Sequence, residues 1–320
     1  MQDRGYGAYR AWKPRFVAEF GYQAPANYST LREAVELGEL REDSPVLRHH
    51  QKAVDGRAKL QRGLEEHFAS VDTFDDWLFA TQLNQARAIT TGIDHFRALR
   101  PLCMGTILWQ LNDCWPALSW SVVDSAARPK PAWCALRRAY ADRLLTIQPT
   151  GNGLAVVAIN DSDDEWRGAV RMRRMNVDGA VLTEEFTELI VAPRAHTNLP
   201  LSARLANAAH GSNEFVVADL GTNRATWFFE RDSKINYPVP RYETKIMRID
   251  RGFTVDVFAH TLLRELALFV DRMDPQATVD DMLVTLLPGE SVIFRVTTTH
   301  DTAEELGSAP FLHCPNDLSR

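Results

Sequence analysis

Arg15-Phe16-Val17-Ala18-Glu19-Phe20-Gly21 and, further along, Met104-Gly105-Thr106-Ile107-Leu108 are the two apolar runs on which the reading of the first half of the chain turns. The first has the alternation of a strand, with Phe16, Ala18 and Phe20 set against Val17 and Glu19. The second is a continuous apolar run of the kind expected for a strand buried on both faces. The intervening sequence is helical in pattern. A helix is expected near 30–37, where Thr30 and Glu33 have capping-box spacing and Gly38 supplies a stop. Another is expected over 45–68, with Gly56 and Gly63 as candidate breaks. A third, over 73–97, starts at a Thr73 cap and aligns Phe79, Leu83, Ala86, Ile93 and Phe96 in one apolar stripe. Pro129 and Pro131 introduce a last helix reaching about 142. Strand, helices, strand, helix is the order of a parallel sheet or of a (β/α)8 barrel. A whole barrel takes about 250 residues, so the segment to about 145 is either a small α/β domain with long loops or the tail of a barrel.

After that the texture changes. Pro149, Gly151 and Gly153 suggest a boundary. Short β-rich runs follow at 154–159, 168–177, 186–191, 215–220 and 225–230, with turn signals such as Asn160-Asp161-Ser162 and Asp178-Gly179 between them. This is the pattern of a β-sandwich. A second set lies at 242–249, 253–260, 265–270, 282–286 and 291–298, after a linker containing Pro238 and Pro240. Residues from about 302 are expected to form a loose tail. The expected division is therefore 1–145, 146–233, 241–301 and a tail at 302–320. In fold class this is multidomain α/β plus all-β.

The 320 residues are 45% hydrophobic and 24% charged, with a net charge of −6, an ordinary globular composition without the basic bias of a nucleic-acid binder. The length suits two or three domains. No apolar run approaches the roughly 18 residues of a membrane span. Cys103, Cys114, Cys134 and Cys314 have no ligand-like spacing, which points to core thiols rather than a zinc site and, with no leader-like N-terminus, to a cytoplasmic setting.

Two clusters carry chemistry. Glu19 ends an apolar strand, where a carboxylate is costly to bury unless paired or functional. It could also pair with Arg15 or face solvent. Trp109-Gln110-Leu111-Asn112-Asp113-Cys114-Trp115-Pro116 follows directly on the second strand. Aromatic faces beside amides and carboxylates suit a sugar ring, although tryptophans can be core and Asn112 and Asp113 turn formers. His49-His50 invites a metal reading, but a plain helical pair is the preferred one.

The segment from Arg15 through Gly21-Tyr22-Gln23 resembles the nucleophile segment of the family 2 glycoside hydrolases. The stretch Leu108-Trp109-Gln110-Leu111-Asn112-Asp113-Cys114-Trp115-Pro116, running on to Ser119-Trp120-Ser121, is similar to that of the β-mannosidases within them. His49-His50-Gln51-Lys52 and Gln82-Leu83-Asn84-Gln85-Ala86 are similar to further β-mannosidase runs. Ala18 departs from the usual serine. The resemblance implies the C-terminal portion of a (β/α)8 barrel followed by two immunoglobulin-like β-sandwiches. It implies a retaining exo-β-mannosidase type of hydrolysis with Glu19 as nucleophile, and a sugar subsite lined by Trp109, Asn112, Asp113 and Trp115, with Gln110 as a further candidate. It implies no metal or other cofactor, and as partner a glycan with terminal β-mannose. The family's acid/base glutamate follows an asparagine well before the nucleophile. No Asn-Glu pair precedes Glu19, and Asn213-Glu214 falls within the first sandwich. The expectation is a fragment, inactive alone, that relies on N-terminal domains of the same protein and whose residues 1–145 are unstable in isolation. The alternatives are a non-catalytic carbohydrate-binding or interaction protein and a related β-glucosaminidase-like exo-glycosidase.

Overall fold

In the computed structural model, which describes residues 5–68 and 71–319, the first half of the chain runs β1 (Val17–Phe20), α1 (Tyr28–Ala34), α2 (Pro45–His50), α3 (Gly56–His67), α4 (Phe74–Ala98), β2 (Thr106–Leu108) and α5 (Pro131–Ala139). The longest helix, α4, starts at the expected cap: Thr73 Oγ1 accepts from the amide of Asp76. Its apolar stripe, from Trp77 to Phe96, is the centre of the first core. Pro131 stands in the first turn of α5, where no amide hydrogen is needed.

Other local readings are corrected. The helix expected at 30–37 begins two residues earlier, after Asn27, and ends at Ala34. Thr30 does not cap it, because its hydroxyl donates to Asp124. The stretch 45–68 is two helices, with Asp55 in the left-handed region (φ 53°) just before Gly56. Gly63 does not break α3; it lies against the Tyr22 hydroxyl and its carbonyl accepts from Asn84. β1 and β2 pair in parallel, Val17 with Thr106 and Phe20 with Leu108, with a register irregularity between. That irregularity defeats the alternation: Val17 and Phe20 are buried while Phe16 is 54% exposed. Nor is β2 buried on both faces, since Ile107 is 53% exposed.

The rest is mostly β-sheet and sandwich-like. β3 (Arg143–Thr150), β4 (Gly153–Asn160) and β7 (Ala195–Pro200) form one antiparallel sheet. β5 (Trp166–Asn176), β6 (Val181–Val191), β8 (Glu214–Leu220) and β9 (Asn223–Phe228) form another, in the order β6-β5-β8-β9. The two pack through Leu145, Ile147, Val156, Trp166, Val170 and Val216. Pro149, Gly151 and Gly153 do not separate segments here; they lie at the β3–β4 hairpin, which pairs Thr150 with Gly153. In the second set, β10 (Tyr242–Ile249), β11 (Gly252–Ala259), β13 (Thr278–Val279) and β15 (Ser291–Thr297) share a sheet, while β12 (Leu263–Leu268) pairs with β14 (Val284–Leu286) and β16 (Leu312–His313). The segment after 302 is no loose tail. Leu306, Leu312, Cys314 and Leu318 are buried, and β16 pairs with Ala267 and Leu268.

These layers share their cores. Ala267, Phe269, Met282, Leu283 and Leu318 join the cluster built on α4. Arg87 of α4 donates to Asp232 (2.7 and 3.1 Å) and to Glu265, and Arg264 completes the buried network. The helical half is thus covered by the C-terminal strands as well as by its own chain.

Candidate active site

Parallel pairing brings the two sequence clusters together. The Trp109 amide donates to the Phe20 carbonyl at 2.8 Å, so Glu19 and Trp109 stand at the same end of neighbouring strands. Gly21 makes this approach feasible: a Cβ there would lie 1.8 Å from the Trp109 carbonyl oxygen. Glu19 is exposed, and among the described residues no ion pair joins it to Arg15. Trp109 is 49% exposed, and Leu111 is exposed as well.

The Trp109 segment is folded around Asp113. Its carboxylate accepts from Ser119 Oγ (2.6 and 2.8 Å), from Ser121 Oγ and from Gln110 Nε2 (3.1 Å). Backbone bonds from Gln110 to Trp120 and from Asp113 to Val123 close the loop. Asp113 therefore shapes the loop with its bonded oxygens. Asn112 stays exposed, its side chain bonding only locally to the Asp113 carbonyl.

Trp115 is held differently. The His50 ring stacks on it, with centroids 4.4 Å apart and planes within 5°. His50 Nδ1 donates to the Pro116 carbonyl at 2.6 Å, which fixes that ring. His49 meets Trp115 edge-on, and Lys52 Nζ lies 4.8 Å from the indole centroid. The His49-His50-Gln51-Lys52 run thus serves as the collar of Trp115. Among the described residues no group of three or more His, Cys, Asp or Glu is placed to hold a metal ion. No described helix is long and apolar enough to cross a membrane.

The segment after Glu19 leaves the sheet, and buried side chains satisfy its carbonyls. Gln85 Nε2 donates to both Tyr22 O (2.8 Å) and Ser121 O (3.0 Å), clamping the Glu19 and tryptophan segments together. Gln82 Nε2 donates to Ala26 O, and Lys130 Nζ to Ala24 O. Asp124 accepts from the backbone and side-chain amides of Asn27. Sequence reasoning assigned none of these supports. Polar residues inside the apolar stripe of α4 were the available signal. Asn213-Glu214 is excluded as chemistry by its surroundings: Glu214 is buried, pairs with Arg174 and accepts from the His210 amide.

No family model matches the chain. It is 36% identical over 310 residues to β-mannosidase B of Aspergillus niger, covering 88% of this chain and 36% of that one. To β-mannosidase B of Aspergillus terreus it is 30% identical over 226 residues, covering 64% and 27%. The chain thus spans about a third of the length of the curated relatives it matches. The fold is that of a β-D-mannosidase from Dictyoglomus thermophilum (TM-score 0.85, 23% identity, 97% of this chain and 38% of that one). It is also similar to an exo-chitosanase from Amycolatopsis orientalis (TM-score 0.67, 15% identity, 88% and 39%). By these likenesses the chain resembles the family 2 glycoside hydrolases as a class. Within that class it is β-mannosidase-like and corresponds to the C-terminal part.

Proposed function

We propose that this chain is the nucleophile-bearing portion of a retaining exo-β-glycosidase acting on terminal β-mannosyl residues. Residues 1–145 are its share of a (β/α)8 barrel, and 146–233 and 241–301 are immunoglobulin-like sandwiches. The observation that supports the reading is the Trp109–Phe20 backbone bond, which joins the segments carrying an exposed glutamate and an exposed tryptophan at one end of two parallel strands. The exposed apolar side chains of Phe16, Ile107 and Leu111 support it, since they are what a part-barrel leaves uncovered.

In this reading Glu19 is ionised and attacks the anomeric carbon, and a C–O bond to its carboxylate replaces the glycosidic bond. A second carboxyl about 5 to 5.5 Å away protonates the leaving oxygen, then takes a proton from the water that releases the sugar. That second group comes from N-terminal sequence of the longer protein. Trp109, Asn112, Asp113 and Trp115 line the subsite. Trp115 contributes whatever surface His50 leaves free, and Asp113 acts through the loop it holds.

Hydrolysis of a chromogenic β-mannoside tests this. The chain alone is expected to be silent. The longer gene product is expected to turn over, and Glu19→Ala to reduce its kcat by on the order of a thousandfold or more. Turnover by the chain alone would contradict the divided site. A longer protein inert on β-mannosides would overturn the mannosidase reading. If it cleaved β-glucosaminides instead, the second reading would hold, which the likeness to an exo-chitosanase favours.

A further inference from the structure

Lys130 is 0% exposed, a fully buried cation among the described residues. A lysine is rarely buried without a partner or a task. Its Nζ donates to the Ala24 carbonyl at 3.1 Å, and its own amide donates to Val122 at 2.9 Å. Ala24 belongs to the segment that follows Glu19. Val122 belongs to the segment that follows the tryptophans. The charged groups that face the ammonium are Asp113 and Asp124. Asp113 holds the tryptophan loop through Ser119 and Ser121, and Asp124 holds Asn27 and Thr30.

We propose that Lys130 is a positioning residue of the site, whose buried amino group ties the Glu19-bearing segment to the Asp113-centred tryptophan loop. For its catalytic consequence this rests on the hydrolase reading above; the structural lock does not. The Ala24 carbonyl also accepts from the Ser119 amide, so removing the ammonium leaves no orphaned carbonyl there. What is lost is the tie from Nζ to the Ala24 carbonyl. Burial depresses the ammonium to about 8, against the pull of Asp113 and Asp124, so the closed arrangement holds its proton less tightly than an exposed lysine would and tightens as the pH rises through that value.

The test compares wild type with Lys130→Met, a substitution of similar length that replaces charge by thioether. Hydrogen exchange is followed over 22–27 and 109–123 from pH 6.5 to 9.5, corrected for intrinsic rates. In wild type both segments are expected to exchange about tenfold more slowly above pH 8 than at pH 6.5. Lys130→Met is expected to show the fast rate at every pH, with the melting temperature kept or raised. A flat wild-type profile would overturn the proposal without any variant. So would a lowered melting temperature with faster exchange throughout the helical half, which marks a merely structural lysine. In the longer protein, Lys130→Met is expected to lower kcat/KM about tenfold. Unchanged kcat/KM in a protein that does turn over would overturn the positioning role. Absence of wild-type turnover would sink the hydrolase reading alone, leaving the exchange result to decide the lock.

Discussion

The Trp109 amide hydrogen reaches the Phe20 carbonyl because the residue after Phe20 has no side chain. Everything proposed for the site depends on that contact, since it converts two distant stretches of sequence into one surface. Gly21→Ala is therefore expected to push the two segments apart. A methyl group 1.8 Å from the Trp109 carbonyl oxygen cannot be absorbed by a rotamer change, because the clash is with backbone. The expected cost is about 1–3 kcal/mol, read as a lowered urea midpoint. A midpoint equal to wild type would show that the strand ends can separate freely.

The buried charges around Arg87 give a second expectation. Arg87, Arg264, Asp232 and Glu265 balance one another where α4 meets the C-terminal strands. Burial alone would raise the carboxyl of Asp232, but Arg264 and Arg87 overcome it and hold it well below the usual carboxylate range. Glu265 is lowered in the same way, chiefly by Arg87. Arg87→Leu leaves two carboxylates sharing one guanidinium and is expected to cost about 3–5 kcal/mol. A double substitution that also replaces Asp232 by Asn is expected to recover part of that loss, as a thermodynamic cycle would measure. Independent, additive effects would argue against a coupled network.

Asp94 supplies a prediction in pH. It is half-buried at the junction of α4 and β3, where Thr146 Oγ1 donates to it at 2.9 Å. Burial pushes its carboxyl up to about 6, with Thr146, Arg97 and Arg10 opposing. The folded state thus keeps a proton that the unfolded chain has already released. Its contribution to stability is full below about pH 4 and is lost as the pH rises through 6. Asp94→Asn keeps an acceptor for Thr146 without the charge. It is expected to stabilise the protein by about 3 kcal/mol at pH 8 and hardly at all at pH 4. Equal melting shifts at the two pH values would overturn this.

Much of the fold was legible locally. The α4 stripe, its Thr73 cap and most strands of the second half follow from periods of 3.6 and 2 and from turn residues. The strand flanked by Pro149 was missed as a strand because its proline and glycines resemble a break, whereas pairing with β4 and burial of Leu145 and Ile147 hold it extended. The segment after 302 looked loose because its few apolar residues carry no period. They are ordered by filling a core made elsewhere, next to Phe253 and Leu268. Glu19, Trp109 and Asp113 could be singled out because their residue types are conspicuous after apolar strands. Gln82 and Gln85 were marked only as polar residues within the apolar stripe of α4, and neither they nor Lys130 gave a sign of which segment's carbonyls they would be buried against.

The amino-acid sequence by itself determined the local elements and the identities of the candidate reacting groups, because backbone propensity, capping and apolar period act over a few residues. Only the tertiary structure decided which of those groups stand together, which carbonyls Gln85 and Lys130 satisfy, and how His50 covers Trp115. Those contacts join residues far apart in the chain. Their stability comes from burial that no single segment can provide.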